Sequence, residues 1–224
     1  MNFLSHFYFD RHNSNSYCIT GTVLPDLVKN ANKDWNCYPQ KHEELFIGEG
    51  KQLELLKGWK RHLKVDQLFH SSVFFQDETQ KLKQWLIPFL EGSPVRPSFL
   101  AHIGLELMLD HLLVEQRLID IHHFYHHLSS SKGQQLDLFL SKCNINDLPK
   151  FNHFYDNFLS SRYLLSYQKI DNISYALQRI CMRLWKDPFD KENLSELTGQ
   201  LLHYKKDLET NFMSIFDTIE KELN

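Results

Sequence analysis

Phe99-Leu100-Ala101-His102-Ile103-Gly104-Leu105-Glu106-Leu107-Met108-Leu109-Asp110-His111-Leu112-Leu113 is the stretch that decides the fold. Stepping by about 100° per residue places Phe99, His102, Ile103, Glu106, Leu109, Asp110 and Leu113 on one helical face. Leu105, Met108 and Leu112 populate the other faces. A helix apolar nearly all round is a buried central helix, so it carries Glu106 and Asp110 inside. Two bare carboxylates there would repel each other and drive one pKa up sharply. A cation between them removes the problem.

The same reasoning extends to residues 51–70. Leu55, Trp59, His62, Asp66, Phe69 and His70 fall within one narrow stripe, with Lys57, Lys60, Arg61 and Lys64 opposite. A histidine and a carboxylate four residues apart are neighbours on a helix, and here they face the core. Burying a carboxylate is costly unless it is paired or coordinates a metal. A lone inward histidine is usually a structural one. The combination of His62, Asp66 and His70 on one face shifts the balance towards ligation. The lysine-rich side is read as a solvated helix face.

Composition fits a helical globule. The chain has 224 residues, 42% of them apolar and 24% charged, with only 8 Gly and 7 Pro. That length buries a sizeable core, and one domain over residues 1–224 is the expectation. A formal charge of −3 gives no general attraction to nucleic acid or anionic membrane. The four cysteines, Cys18, Cys37, Cys143 and Cys181, include no CxxC pair, which excludes a thiolate zinc site and points to a reduced, cytoplasmic protein. No window approaches the roughly 20 apolar residues of a membrane span, and the N-terminus lacks the basic region of a signal peptide.

Helices are expected at about 2–10, 51–70, 75–90, 98–128, 150–168, 172–186 and 191–222, with a further one opened by Pro25, which suits a first turn. Residues 31–50 read as irregular. Leu194, Leu197, Leu201, Tyr204, Leu208, Phe212, Ile215 and Ile219 give the last helix an apolar stripe, a core face or, as the alternative, a homodimer seam. His122, His123, His126 and His127 form two pairs at helical spacing without a carboxylate among them, and read as mostly solvated.

Four blocks carry a family resemblance. Met1-Asn2-Phe3-Leu4-Ser5-His6, Gly21 through Lys29, Gly58 through Asp66 and Ile103 through Leu113 resemble, in order, the motifs of the acyl carrier protein phosphodiesterases. These are all-α proteins related to the HD-type metal-dependent phosphohydrolases, so the resemblance implies a single-domain helical bundle of that kind. The chain departs from the family pattern in having Leu63 where an arginine follows the motif histidine, and His70 and Glu106 where aspartates stand. Imidazole and carboxylate both remain metal-capable.

The resemblance implies hydrolysis of the phosphodiester that joins 4′-phosphopantetheine to a serine of acyl carrier protein. It implies a divalent cation, Mn²⁺ first and Fe²⁺ or Zn²⁺ next, held by His62, Asp66, Asp110 and Asp26, with His6 and His111 close behind. His70 or Glu106 would ligate, orient an imidazole or protonate the leaving oxygen, and His111 joins them as a catalytic candidate. Lys57, Lys60, Arg61 and Lys64 would meet the acidic carrier. Two alternatives stay open: a nucleotide or other small phosphodiester as substrate, and a non-catalytic interaction protein whose core polar residues only hydrogen-bond.

Overall fold

The computed structural model describes residues 1–189 and 191–223, and among these the secondary structure is helical throughout, without a strand. In chain order the α-helices are α1 (Phe3–Tyr8), α2 (Ser16–Ala31), α3 (Gly50–Ser71), α4 (Val73–Phe89), α5 (Pro97–Glu115), α6 (Ile121–Ser131), α7 (Gln134–Lys142), α8 (Leu148–Ser161), α9 (Ile170–Cys181), α10 (Lys191–Leu208) and α11 (Met213–Leu223). The expected all-α class is what is found. Residues 31–50 hold only two short 3-10 turns, at Pro39–Lys41 and Glu43–Phe46.

The chain divides into two compact units. One comprises residues 1–5, 67–118 and 165–224; the other comprises 6–66 and 119–164. In the first, α4 and α9 pack on α5, and α10 packs on α9 and α4. Leu100, Leu105, Met108, Leu109 and Leu112 of α5 are buried, as its all-round apolarity requires. By length and composition α5 also satisfies the criterion for a membrane span, but 67% of that window is buried inside the protein and it behaves as a core helix. In the second unit α2 packs on α6 and α8, with α7 also against α8. Phe46, Trp59 and Phe139 meet in its core, with ring centroids 4.9 and 6.4 Å from that of Phe139.

Three helix boundaries correct the sequence reading. Pro25 does not open a helix: α2 begins nine residues earlier, where the Asn15 side chain accepts from the N–H groups of Tyr17 and Cys18. A capping side chain defines that start better than Pro25 does, and Pro25 sits inside the helix, so Asp26 is not at its positive end. The expected 98–128 helix is two. Arg117 turns left-handed at φ 57°, Leu118 N–H donates to Leu113 O at 2.9 Å, and Asp120 caps the new helix α6. The 191–222 helix also breaks, between Leu208 and Met213, and α7 was not anticipated.

Candidate functional site

In the second unit α2 and α3 cross in backbone contact. A Cβ at Gly58 would lie 2.0 Å from the Cys18 carbonyl oxygen, and one at Gly21 would lie 2.3 Å from that of Leu55. Only glycine at both positions permits this approach. It brings the Thr22 carbonyl 2.8 Å from His62 Nδ1. That carbonyl can only accept, so the ring proton sits on Nδ1 and the Nε2 lone pair is turned the other way, as in metal-binding histidines.

Carboxylates stand where this lone pair points. His62 Nε2 is 3.5 Å from Asp66 Oδ2 and 3.9 Å from Asp26 Oδ1. His6, from α1, stacks on His62 with centroids 3.9 Å apart and planes at 19°. Its Nε2 lies 3.2 Å from Asp66 Oδ1 but off the axis of a good N–H···O bond, and both ring nitrogens are buried without a hydrogen-bond partner. Ligand-capable atoms of His6, His62 and Asp66 all fall within 4.8 Å of one another. The imidazoles are buried and the two carboxylates partly exposed.

Electrostatics agree with ligation. Burial, helped by the neighbouring His62, pushes His6 down to about 3, so it is a neutral imidazole at neutral pH, the form that binds metal. Burial alone would raise the Asp66 carboxyl, but His6 and His62 hold it well below the ordinary carboxylate range. Two imidazoles and two carboxylates make a nitrogen and oxygen set of the kind that holds one divalent cation. An orphaned buried His6 nitrogen beside the ionised Asp66 is what a cation would resolve, so the residues present fit such an ion.

In the first unit a second set forms. His70 Nε2, His102 Nε2 and Glu106 Oε1 stand 3.2 Å from one another in all three pairings. The Met1 amino group is 3.2 Å from the same Glu106 oxygen. Burial alone would raise Glu106; Met1, His102 and His70 overcome this and hold it well below its usual value.

The structure places the other anticipated residues elsewhere. Asp110 belongs to neither metal-capable set. Its Oδ1 accepts from Ser5 N–H at 2.7 Å and Ser5 Oγ at 2.6 Å, and its Oδ2 from Leu4 N–H at 3.1 Å and Asn2 Nδ2 at 2.9 Å. Glu106 and Asp110 are therefore not bridged as a pair; each has partners of its own. Burial still pushes Asp110 up to about 7 against those donors. His111 is buried, with Nδ1 donating to the Tyr167 carbonyl at 2.7 Å and Nε2 3.9 Å from Glu115, and it belongs to neither metal-capable set.

On the basic face, Lys57 pairs with Glu54, Lys60 with Glu43 at 2.7 Å, and Arg61 with the buried Asp10 at 2.6 Å. Among the described residues Lys64 is the member of that patch with no ion pair. His127 is buried with Nδ1 on Ser16 Oγ at 2.9 Å, and the cluster around it forms no metal-capable set among the described residues.

Sequence reasoning gave no role to His102, although it lies one turn before Glu106 and that spacing was the available signal. Nor did it assign the Gly21 and Gly58 crossing a function, because contact between two helices has no local periodicity. Comparison with curated proteins and with solved structures finds no match. The family description "Acyl carrier protein phosphodiesterase" matches residues 1–219, nearly the whole chain. With that span, and with the His6, His62 and Asp66 group formed from two of its motif blocks, the chain belongs to the acyl carrier protein phosphodiesterase family.

Proposed function

We propose that the protein is a metal-dependent phosphodiester hydrolase that removes 4′-phosphopantetheine from holo-acyl carrier protein. Water adds across the bond between phosphorus and the seryl oxygen: that bond breaks, the hydroxyl stays on phosphorus, and the seryl oxygen leaves with a proton. The observation that supports this reading is the convergence of His6, His62 and Asp66, with Asp26 beside them, in a chain of this family.

His6, Asp26, His62 and Asp66 would hold the cation. A divalent ion there supplies charge neutralisation at the phosphoryl oxygens and a lowered pKa for water. The mixed nitrogen and oxygen set suits Mn²⁺, Fe²⁺ or Zn²⁺ rather than Ca²⁺. The protein's own contribution is preorganisation. Thr22 fixes the tautomer of His62, His6 braces it by stacking, and the exposed carboxylates mark the side from which substrate arrives. His111 is assigned to holding the Tyr167 segment rather than to proton transfer.

An acidic carrier needs positive charge, and the lysine-bearing side of α3, opposite His62 and Asp66, offers it. Lys64 has no ion pair among the described residues, while Lys57 and Lys60 are engaged by Glu54 and Glu43 in exposed pairs worth about 0–1 kcal/mol. The test is elemental analysis of purified protein combined with mass spectrometry of holo-carrier incubated with it. Loss of the pantetheine arm in a metal-dependent manner is the expected result. Cleavage of a generic phosphodiester with holo-carrier left intact would move the substrate to a nucleotide or small diester.

A further inference from the structure

The set formed by His70, His102 and Glu106 has a geometry that hydrogen bonding uses poorly. A neutral imidazole Nε2 presents one N–H or one lone pair, so it serves one partner on its axis. Each Nε2 here has two partners at the same 3.2 Å, and the Glu106 oxygen completes an equal-sided triangle. A cation at the centre engages all three donors at once. With zinc–ligand distances of about 2.0–2.1 Å, neighbouring ligands of a tetrahedron lie about 3.3 Å apart. The triangle therefore has the size of one tetrahedral face.

Its surroundings support binding rather than mere proximity. His102 and Glu106 are one turn apart on α5, a rigid buried helix. Phe75 lies edge-on to both rings, 4.9 Å from His70 at 77° and 5.0 Å from His102 at 79°, and so orients them together. His102 also lines a cleft of about 260 Å³ with Phe75, Thr79, Gln80, Lys83 and Ser98, which gives the set access to water or a small anion.

We propose that His70, His102 and Glu106 form a second metal site, for a zinc-class divalent ion, within the first unit. Two imidazoles and one carboxylate disfavour Mg²⁺ and Ca²⁺, which take oxygen ligands. A set of two histidines and one glutamate is a three-ligand arrangement that keeps a coordination position open. The site is independent of the one formed by His6, His62 and Asp66, and it stands or falls separately from the reading of that centre.

The experiment titrates Zn²⁺ and Co²⁺ into chelator-stripped protein. It follows stoichiometry by equilibrium dialysis and the visible bands of tetrahedral cobalt, in wild type, His102→Gln, His70→Gln and His62→Gln. Circular dichroism checks that each is folded, and the second substitution in the set guards against failure of the first. Wild type should take two equivalents. His102→Gln and His70→Gln should each lose one, with affinity for it lower by more than about 100-fold, beyond the typical effect of losing an outer partner. His62→Gln should keep that equivalent and its cobalt spectrum. A wild type that binds one ion, lost in His62→Gln and kept in His102→Gln, overturns this site and leaves the other intact. One ion lost in His102→Gln and kept in His62→Gln does the reverse. No binding at all overturns both.

Discussion

The two metal-capable sets are built inside out with respect to each other. In the second unit the imidazoles are interior, His6 at 0% and His62 at 4% side-chain exposure, while Asp26 and Asp66 stand at 33% and 32%. In the first unit the carboxylate is the interior group, Glu106 at 16%, and His70 and His102 are the open ones at 34% and 44%. A buried imidazole with its tautomer fixed by a backbone carbonyl is a rigid ligand. A half-exposed imidazole oriented by phenylalanine edges is a more mobile one. The second unit is thus expected to hold its ion tightly and use it for chemistry, and the first to exchange its ion more readily.

The largest effect should come from the rigid set. His62→Ala or Asp66→Asn should lower turnover of holo-carrier by at least about 1,000-fold, because the ion that carries the charge of the transition state is lost. His102→Gln should change turnover far less. Equal losses in steady-state assays of the two variants would erase the functional distinction between the sets.

The crossing of α2 and α3 provides the next test. Gly58→Ala places a methyl 2.0 Å from the Cys18 carbonyl and 2.7 Å from Gly21 Cα, so backbone rather than a flexible side chain must move. Overpacking of this kind typically costs about 1–3 kcal/mol, and contact with backbone puts it at or above the upper end. Because the Thr22 to His62 bond spans the same crossing, metal affinity in the second unit should fall with stability. Denaturant melts and metal titration of one variant measure both. An unaffected His62 site in a destabilised protein would show that the crossing supports the fold alone.

Asp110 separates ligation from anchoring on α5. Removing it with Asp110→Ala leaves the N–H groups of Leu4 and Ser5 without their acceptor, at about 1–3 kcal/mol each. Asp110→Asn keeps the shape but cannot ionise. With a folded pKa of about 7, against about 3.9 when unfolded, the folded wild type binds more protons over that interval. Its stability should therefore decline as pH rises from about 4 to 7, by up to about 1.4 kcal/mol per unit, relative to a flatter Asp110→Asn. Neither variant should change metal stoichiometry. Loss of an equivalent would make Asp110 a ligand after all.

How much of this was legible in the sequence depends on how local the cause is. The burial of α5 and the inward face of His62 follow from helical periodicity and are observed, whereas Asp66, expected inside with it, is partly exposed. The partners of Asp110 lie 105 and 106 residues away in Ser5 and Leu4, and no periodicity encodes a contact at that distance. The break after α5 turns on Arg117 at φ 57°, a left-handed residue without the glycine that would mark it. Pro25 misled for a related reason: the rule for a first turn holds only when no better cap lies upstream, and Asn15 is one. The sharing of polar groups between sets was hidden because His62, Asp66 and His70 lie on one stripe, while the structure groups His62 with His6 and His70 with His102.

The smallest expected effect concerns the approach of the substrate. Lys57, Lys60 and Arg61 each have an acidic partner within the second unit, so they present less net charge than the sequence suggests. Lys64, exposed on the side of α3 opposite His62 and Asp66, has no ion pair among the described residues and is open to an incoming anion. Lys64→Glu should raise KM for the carrier by about 3–5-fold at low salt, the size of a single exposed ion pair, with kcat nearly unchanged. Exposed charges steer encounter, and their influence is screened beyond about 10 Å at 0.1 M salt, so the defect should fade as salt is added. Lys60→Glu should do less, because Glu43 already neutralises that lysine. A Lys60→Glu defect as large as that of Lys64→Glu would mean the carrier displaces Glu43, and the docking face would then extend along the whole exposed side of α3.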